Sequence, residues 1–245
     1  MDESSIKLAA DLIKNSRHTT VFTGAGISVE SGIPPFRGEN GLWSVYDPQF
    51  LDIFYFNHHP EKTWEMLTEL FYKHFGSTRP NRAHVAIAEL EKKSIVKAVI
   101  TQNIDNLHQE AGSRNVIEFH GTYRRLICMR CNQQSVYSEE YLHKLPPRCK
   151  KCDGILKPDF VFFSEPIPED ASRRSFQETE IADVFLVIGT TGEIQPASTI
   201  PVLAHQNGAK IIEINIKESK FTDTIVDVFL HGKATEMMDK LLALT

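Results

Sequence analysis

The feature that most limits what this chain can become is a set of four short apolar stretches, each rich in β-branched residues. They lie at 19–23 (TTVFT), 96–101 (VKAVIT), 183–188 (DVFLVI) and 210–215 (KIIEIN). Parallel strands buried on both faces read as near-continuous runs of this kind. Helical spacing recurs around and between them, at 4–15, 83–93, 168–180, 197–206 and 235–244. The alternation predicts an α/β fold: an open parallel sheet with helices on both faces.

Two segments interrupt that alternation. Residues 40–80 are helical and aromatic, and residues 122–157 carry short β-type pieces around the four cysteines of the chain. Cys128, Cys131, Cys149 and Cys152 form two Cys-x-x-Cys pairs separated by 17 residues. In a reducing compartment this spacing reads as one tetrahedral zinc site. The organisation expected is a sheet domain over 1–39, 81–121 and 158–245, with a helical module (40–80) and a zinc ribbon (122–157) inserted as a smaller lobe.

The net charge of −5 over 245 residues argues against a generally basic nucleic-acid binder. Residues 124–157 are the exception, with eight basic and three acidic side chains. That excess is read as a solvated zinc ribbon balancing a tetrathiolate centre, in preference to a docking patch for nucleic acid or acidic partners. No apolar run approaches the ~20 residues of a membrane span, and the first residues lack the basic start and apolar core of a secretion signal. A cytoplasmic protein without membrane contact is the expectation.

The first strand runs straight into Gly24-Ala25-Gly26 and then a polar helical start with Ser28. Glycines allow close backbone approach, and a helix N-terminus favours phosphate, so this is a candidate pyrophosphate loop. Ser31 to Gly38 then combines glycines, prolines, Phe36 and Arg37 in a segment suited to closing over a ligand. Gln102, Asn103, Ile104 and Asp105 follow the second strand, and Phe119-His120-Gly121 comes soon after. Ligands of open α/β sheets bind at the carboxyl ends of strands, so these groups can converge.

GAGISVESGIPPFRG, TQNIDNLH, FHG, the paired cysteines, and Gly189-Thr190-Thr191 with Pro196-Ala197 stand in the order found in sirtuins. The chain resembles a compact prokaryotic sirtuin, an NAD-dependent protein lysine deacetylase, from about Val21 to Ala234. The resemblance implies a Rossmann-like domain with NAD between it and the small lobe. It implies Gly24, Ala25 and Gly26 at the pyrophosphate, Phe36 and Arg37 in a cofactor loop, and Gln102 and Gly189 beside the cofactor. It further implies Thr190 and Thr191 at phosphate and ribose, Asn215 at the adenosine ribose, and Lys233 and Ala234 at the adenine. Asn103 and Asp105 would form the nicotinamide pocket with Ile104, and His120 would be the general base. His84 and His108 are read as structural or surface residues. Val161, Phe162, Phe163, Gly192, Glu193 and Ile194 would receive the acetylated-lysine segment of a protein or peptide. The zinc, closed by four thiolates, would fold the ribbon and take no part in the chemistry.

Two residues depart from the family pattern: Ser164 stands where glycine is usual, and Pro35 stands before Phe36-Arg37. The Tyr-x-x-Arg pair of succinyl-removing sirtuins is absent, and counting from Trp64 places Leu67 and Leu70 at those positions. A neutral acyl group is therefore expected, acetyl first and longer chains next. Glu193 suggests a basic residue near the target lysine. The competing readings are a hydride-transferring dehydrogenase, a sirtuin-like ADP-ribosyltransferase or NAD hydrolase, and a zinc-ribbon binding module that only senses the cofactor.

Overall fold

The computed structural model describes residues 3–35, 41–73 and 77–245. Phe36 and Arg37, expected in the cofactor loop, lie outside the described residues. The four expected strands form as β1 (Thr19–Thr23), β2 (Val96–Thr101), β7 (Val184–Ile188) and β8 (Lys210–Asn215). Two short edge strands, β3 (Val116–Glu118) and β9 (Val228–His231), complete a six-stranded sheet in the order β3-β2-β1-β7-β8-β9. Every pairing in it is parallel.

Side chains alternate across this sheet, as the period of two requires. Val21, Leu186 and Ile212 face one apolar cluster with α1 (Glu3–Asn15), α4 (Arg82–Lys92) and α8 (Ala234–Leu244). Phe22, Phe185 and Ile211 face the other, with α6 (Glu169–Ile181) and α7 (Thr199–Gln206). Helices thus cover both faces, and a short α5 (Leu107–Ala111) lies between β2 and β3. Strand order reverses between β1 and β7, which opens a crevice at their carboxyl ends.

A second, antiparallel sheet has the order β5-β4-β6, from β4 (Gly121–Cys128), β5 (Gln134–Val136) and β6 (Leu156–Phe160). The aromatic segment folds as α2 (Ile53–His58), α3 (Pro60–Leu67) and a π-helical turn, Thr68–Tyr72. Asp52 caps α2 by accepting the N–H groups of Phe54 and Tyr55. One apolar cluster holds these helices against the second sheet, with Trp64, Phe71, Leu126 and Leu156 all fully buried. The Trp64 Nε1–H donates to the Leu156 carbonyl at 2.8 Å, so the one polar atom of that ring is satisfied inside the cluster.

Candidate active site and metal centre

The loops leaving β1 and β7 cross in direct contact. The Gly24 N–H donates to the Ile188 carbonyl at 3.0 Å, and the Gly26 N–H donates to the Gly189 carbonyl at 2.8 Å. A Cβ on Gly26 would stand 2.6 Å from the Gly189 Cα, and Gly189 itself has φ +63°. These glycines are therefore dictated by the crossing of two chain segments as much as by a ligand. The expected helix after the loop is a 3-10 turn, Ala25–Ser31, ended by Gly32 at φ 89°. Its few aligned peptides make a weaker dipole than the regular helix expected there.

A cavity of about 860 Å³ opens at this crossing. Of the residues singled out in the sequence, Gly24, Ala25, Gly26, Gln102, Asn103, Ile104, His120, Gly189, Thr190 and Thr191 line it. Asn215, Lys233, Ala234, Val161, Phe162, Phe163 and Ile194 line it as well. Asp105, Gly192 and Glu193 do not. Glu193 is exposed and lies 3.8 Å from an exposed Lys220, a weak surface pair.

At the polar end, the Asn215 Nδ2–H donates to the Thr190 carbonyl at 2.9 Å, and the Gln102 Nε2–H donates to the Thr190 Oγ1 at 3.2 Å. Deeper in, both N–H donors of the Asn103 amide are spent, on the Gly24 carbonyl at 3.1 Å and the Ser28 Oγ at 3.2 Å. What Asn103 offers a ligand is its Oδ1 acceptor. Ser28 donates its own proton to Asp105 at 2.7 Å, whose other oxygen accepts the Leu107 N–H at 3.0 Å. Burial raises the Asp105 pKa, and these two hydrogen bonds oppose the rise. Asp105 therefore stands behind Asn103, joined to it through Ser28. Ser28 is a fully buried hydroxyl, and its burial identifies it as part of the site.

His120 has a defined tautomer. Its Nδ1 lies 3.1 Å from the Gln102 carbonyl, which can only accept, so Nδ1 carries the proton and Nε2 the lone pair. Burial lowers its pKa below the ordinary 6.5, and the Gln102 carbonyl partly opposes this. His84 and His108 are buried, so the surface alternative for them is corrected: their rings pack 4.9 Å apart behind the site. The His108 Nε2 meets the Thr23 Oγ1 at 2.9 Å, and Thr23 in turn donates to Thr101.

Burial lowers the His84 pKa from 6.5 to about 4. The unfolded chain therefore binds the extra proton first, and stability through this group is lost as pH falls from 6.5 towards 4. The full effect is about 3 kcal/mol. Urea midpoints measured across that window are expected to fall more steeply for the wild type than for His84→Gln. Parallel curves would remove His84 as the cause.

The apolar end holds Trp43, Leu51, Phe71, Phe160 and Ile167 beside the aromatic 161–163 segment. Leu67 and Leu70, expected there by counting from Trp64, are buried elsewhere in the aromatic cluster and do not line the cavity. Leu67 ends the regular α3, and the π-turn that follows it rotates the helix from Thr68 onward, with Phe71 lining the cavity. Ser164 adopts φ +70°, the left-handed geometry a glycine takes freely. Its hydroxyl donates to the Asp52 Oδ2 at 2.8 Å, which offsets part of the strain.

The metal centre lies at one end of the second sheet. The four cysteine sulfurs fall within 4.8 Å of one another, with Cys128–Cys152 at 3.5 Å and Cys131–Cys149 at 3.9 Å. Tetrahedral zinc at ~2.3 Å from each sulfur requires separations of roughly 3.7 Å, so the donor set fits one zinc ion. The two pairs share one design. Asn132 and Asp153 come directly after their second cysteines with φ 55° and φ 58°, and donate N–H to the Cys128 and Cys149 carbonyls. Of the eight basic residues in 124–157, Arg124 pairs with Glu110, Arg125 with Glu118 and Asp159, Lys150 with Glu140 and Lys157 with Glu165, so four have an acidic partner. No helix among the described residues is long and apolar enough to cross a membrane.

The Sir2 family model matches residues 24–196. An NAD-dependent protein deacetylase of Caldivirga maquilingensis is 46% identical over 238 residues, covering 96% of this chain and 91% of the relative. An NAD-dependent protein deacylase of Thermococcus kodakarensis is 45% identical, with 96% and 93% covered. Among solved structures, a Sir2 with deacetylated p53 peptide and 3'-O-acetyl ADP-ribose superposes at TM-score 0.91 with 36% identity and 97% of each chain covered. A Sir2–p53 peptide–NAD+ complex superposes at 0.89, also with 36% identity and 97% of each chain covered.

Proposed function

Because the chain belongs to the Sir2 family, we propose that it is an NAD-dependent protein lysine deacetylase acting on acetyl-lysine in proteins or peptides. The observation that carries the reading is one continuous cavity that joins a polar groove at the strand switch point, a histidine with a free Nε2, and an apolar end. When bound, NAD supplies an electrophilic ribose carbon as nicotinamide leaves, and the products are free lysine, nicotinamide and O-acetyl-ADP-ribose.

The residues present fit a dinucleotide. Gly24, Ala25, Gly26, Gly189, Thr190 and Thr191 would hold the phosphates and adjoining ribose, while Asn215, Lys233 and Ala234 would hold the adenosine end. Asn103 would orient the nicotinamide-side groups through Oδ1, with Ile104 packing beside it and Asp105 holding Ser28 and the Leu107 turn in place. His120, neutral and with its lone pair on Nε2, would take a proton from a ribose hydroxyl. The apolar end excludes water from the acyl carbonyl, and the 161–163 segment would receive the peptide beside it. One zinc ion on Cys128, Cys131, Cys149 and Cys152 would hold the ribbon, with no coordination position left for substrate. Four cysteines not joined in disulfides fit a reducing compartment such as the cytoplasm. The helical module and ribbon together would form the small lobe.

Nicotinamide release is expected to require an acetyl-lysine peptide. Free ADP-ribose without peptide would instead favour NAD hydrolysis. The acyl group is expected to be neutral, since among the described residues no cation lines the apolar end of the cavity to pair with a succinyl carboxylate. The kcat/KM for a succinyl-lysine peptide should fall about a hundredfold or more below that for acetyl, equivalent to several kcal/mol of unpaired charge burial. Equal rates would overturn this.

A further inference from the structure

Lys157 is a buried cation that the reaction does not use; its side chain is only 5% exposed. A buried ammonium costs several kcal/mol unless each donor finds an acceptor. Here three acceptors are present: the Pro158 carbonyl at 3.0 Å, the Phe160 carbonyl at 2.7 Å and the Glu165 Oε2 at 2.8 Å. The Phe162 ring centroid lies 4.2 Å from the same nitrogen. Glu165 also accepts the Phe162 N–H at 2.8 Å. The segment from Lys157 to Glu165 is thus folded around one charge.

That segment connects to both sides of the cavity. The Val161 N–H donates to the carbonyl of His120 at 2.9 Å, and the Phe163 N–H donates to the Leu51 carbonyl at 2.8 Å. The Ile53 N–H returns to the Phe163 carbonyl at 3.1 Å. Phe160, Phe162 and Glu165 line the cavity directly. Loosening the ion pair would shift this wall first, since among the described residues none of its hydrogen bonds goes directly to the glycine crossing or the Asn215 end.

We propose that the Lys157–Glu165 pair is a positioning device that sets the register of the 161–164 segment for the acyl-lysine peptide, and so governs peptide capture and not NAD binding. This rests on reading that segment as the peptide's docking edge.

The test compares wild type, Glu165→Gln, Lys157→Met and Lys157→Arg for the KM of an acetyl-lysine peptide, the KM of NAD, kcat, and calorimetric affinity for ADP-ribose. Glu165→Gln should raise the peptide KM about tenfold, the size of one charge-assisted hydrogen bond. NAD KM and ADP-ribose affinity should stay within about twofold, inside the ordinary scatter of a surface change. Lys157→Met should exceed the Glu165→Gln effect, and Lys157→Arg, which keeps the charge but not the compact ammonium, should recover part of the peptide affinity. Both KM values rising together, or an unchanged peptide KM in Glu165→Gln, would overturn the proposal. If Lys157→Met does not fold, Glu165→Gln alone decides it. A wild type without NAD-dependent deacetylation overturns the underlying functional reading, whereas an active wild type with unaffected variants overturns only this one.

Discussion

His120→Ala is expected to lower kcat/KM for an acetyl-lysine peptide by about 10²–10⁴-fold, the range of a removed general base. Affinity for ADP-ribose should fall far less than turnover, because the imidazole would meet only the distal ribose, while the Gly24–Gly26 crossing and the Asn215 end make no hydrogen bond to it. The same group sets the pH dependence. Burial holds the His120 pKa below 6.5, so the base is neutral across the neutral range and is lost only as pH falls through the depressed value. The acid limb of the wild-type kcat/KM profile should therefore inflect below pH 6.5. An inflection above it, or a His120→Ala variant with near-normal turnover, would assign the base elsewhere.

The second large effect is expected at the metal centre. Cys128 is fully buried, and its carbonyl accepts the Asn132 N–H of the first knuckle. Cys128→Ser should reduce zinc content from about one ion per chain and unfold the second sheet, since structural zinc contributes on the order of 10 kcal/mol in small zinc modules. Deacetylation would fall with it, because β6 leads directly into the segment that lines the cavity. Exchange of zinc for cobalt or cadmium separates structure from chemistry. With four thiolates the ion has no open position, so activity should stay within about twofold. A strong dependence of kcat on metal identity would contradict a structural zinc.

The central strands could be read from the sequence because burial on both faces leaves an apolar run that little else produces. The edge strands escaped that reading: Val116–Glu118 and Val228–His231 are too short to carry a period of their own. The four cysteines were legible for a different reason, since tetrahedral geometry constrains their spacing directly. The glycines were recognised correctly as a loop signal, but half of their physical cause, the crossing against Gly189, depends on a chain segment far away. Leu70 was misplaced across a π-turn that rotates the helix face without leaving a mark on residue spacing, whereas Leu67 precedes that turn and is taken up by packing in the aromatic cluster. Ser28, His84 and His108 show the same limit for polar side chains. Their burial comes from the packing of the Ala25–Ser31 turn, α4 and α5, which periodicity within any one element does not report.

The central claim is that the acyl group ends on ADP-ribose. The most direct measurement is mass spectrometry after incubating the protein and NAD with a peptide whose lysine carries a ¹³C-labelled acetyl group. The account predicts unmodified lysine, nicotinamide and labelled O-acetyl-ADP-ribose in equal amounts, all dependent on NAD. Labelled free acetate appearing without nicotinamide, or NADH in place of nicotinamide, would contradict it.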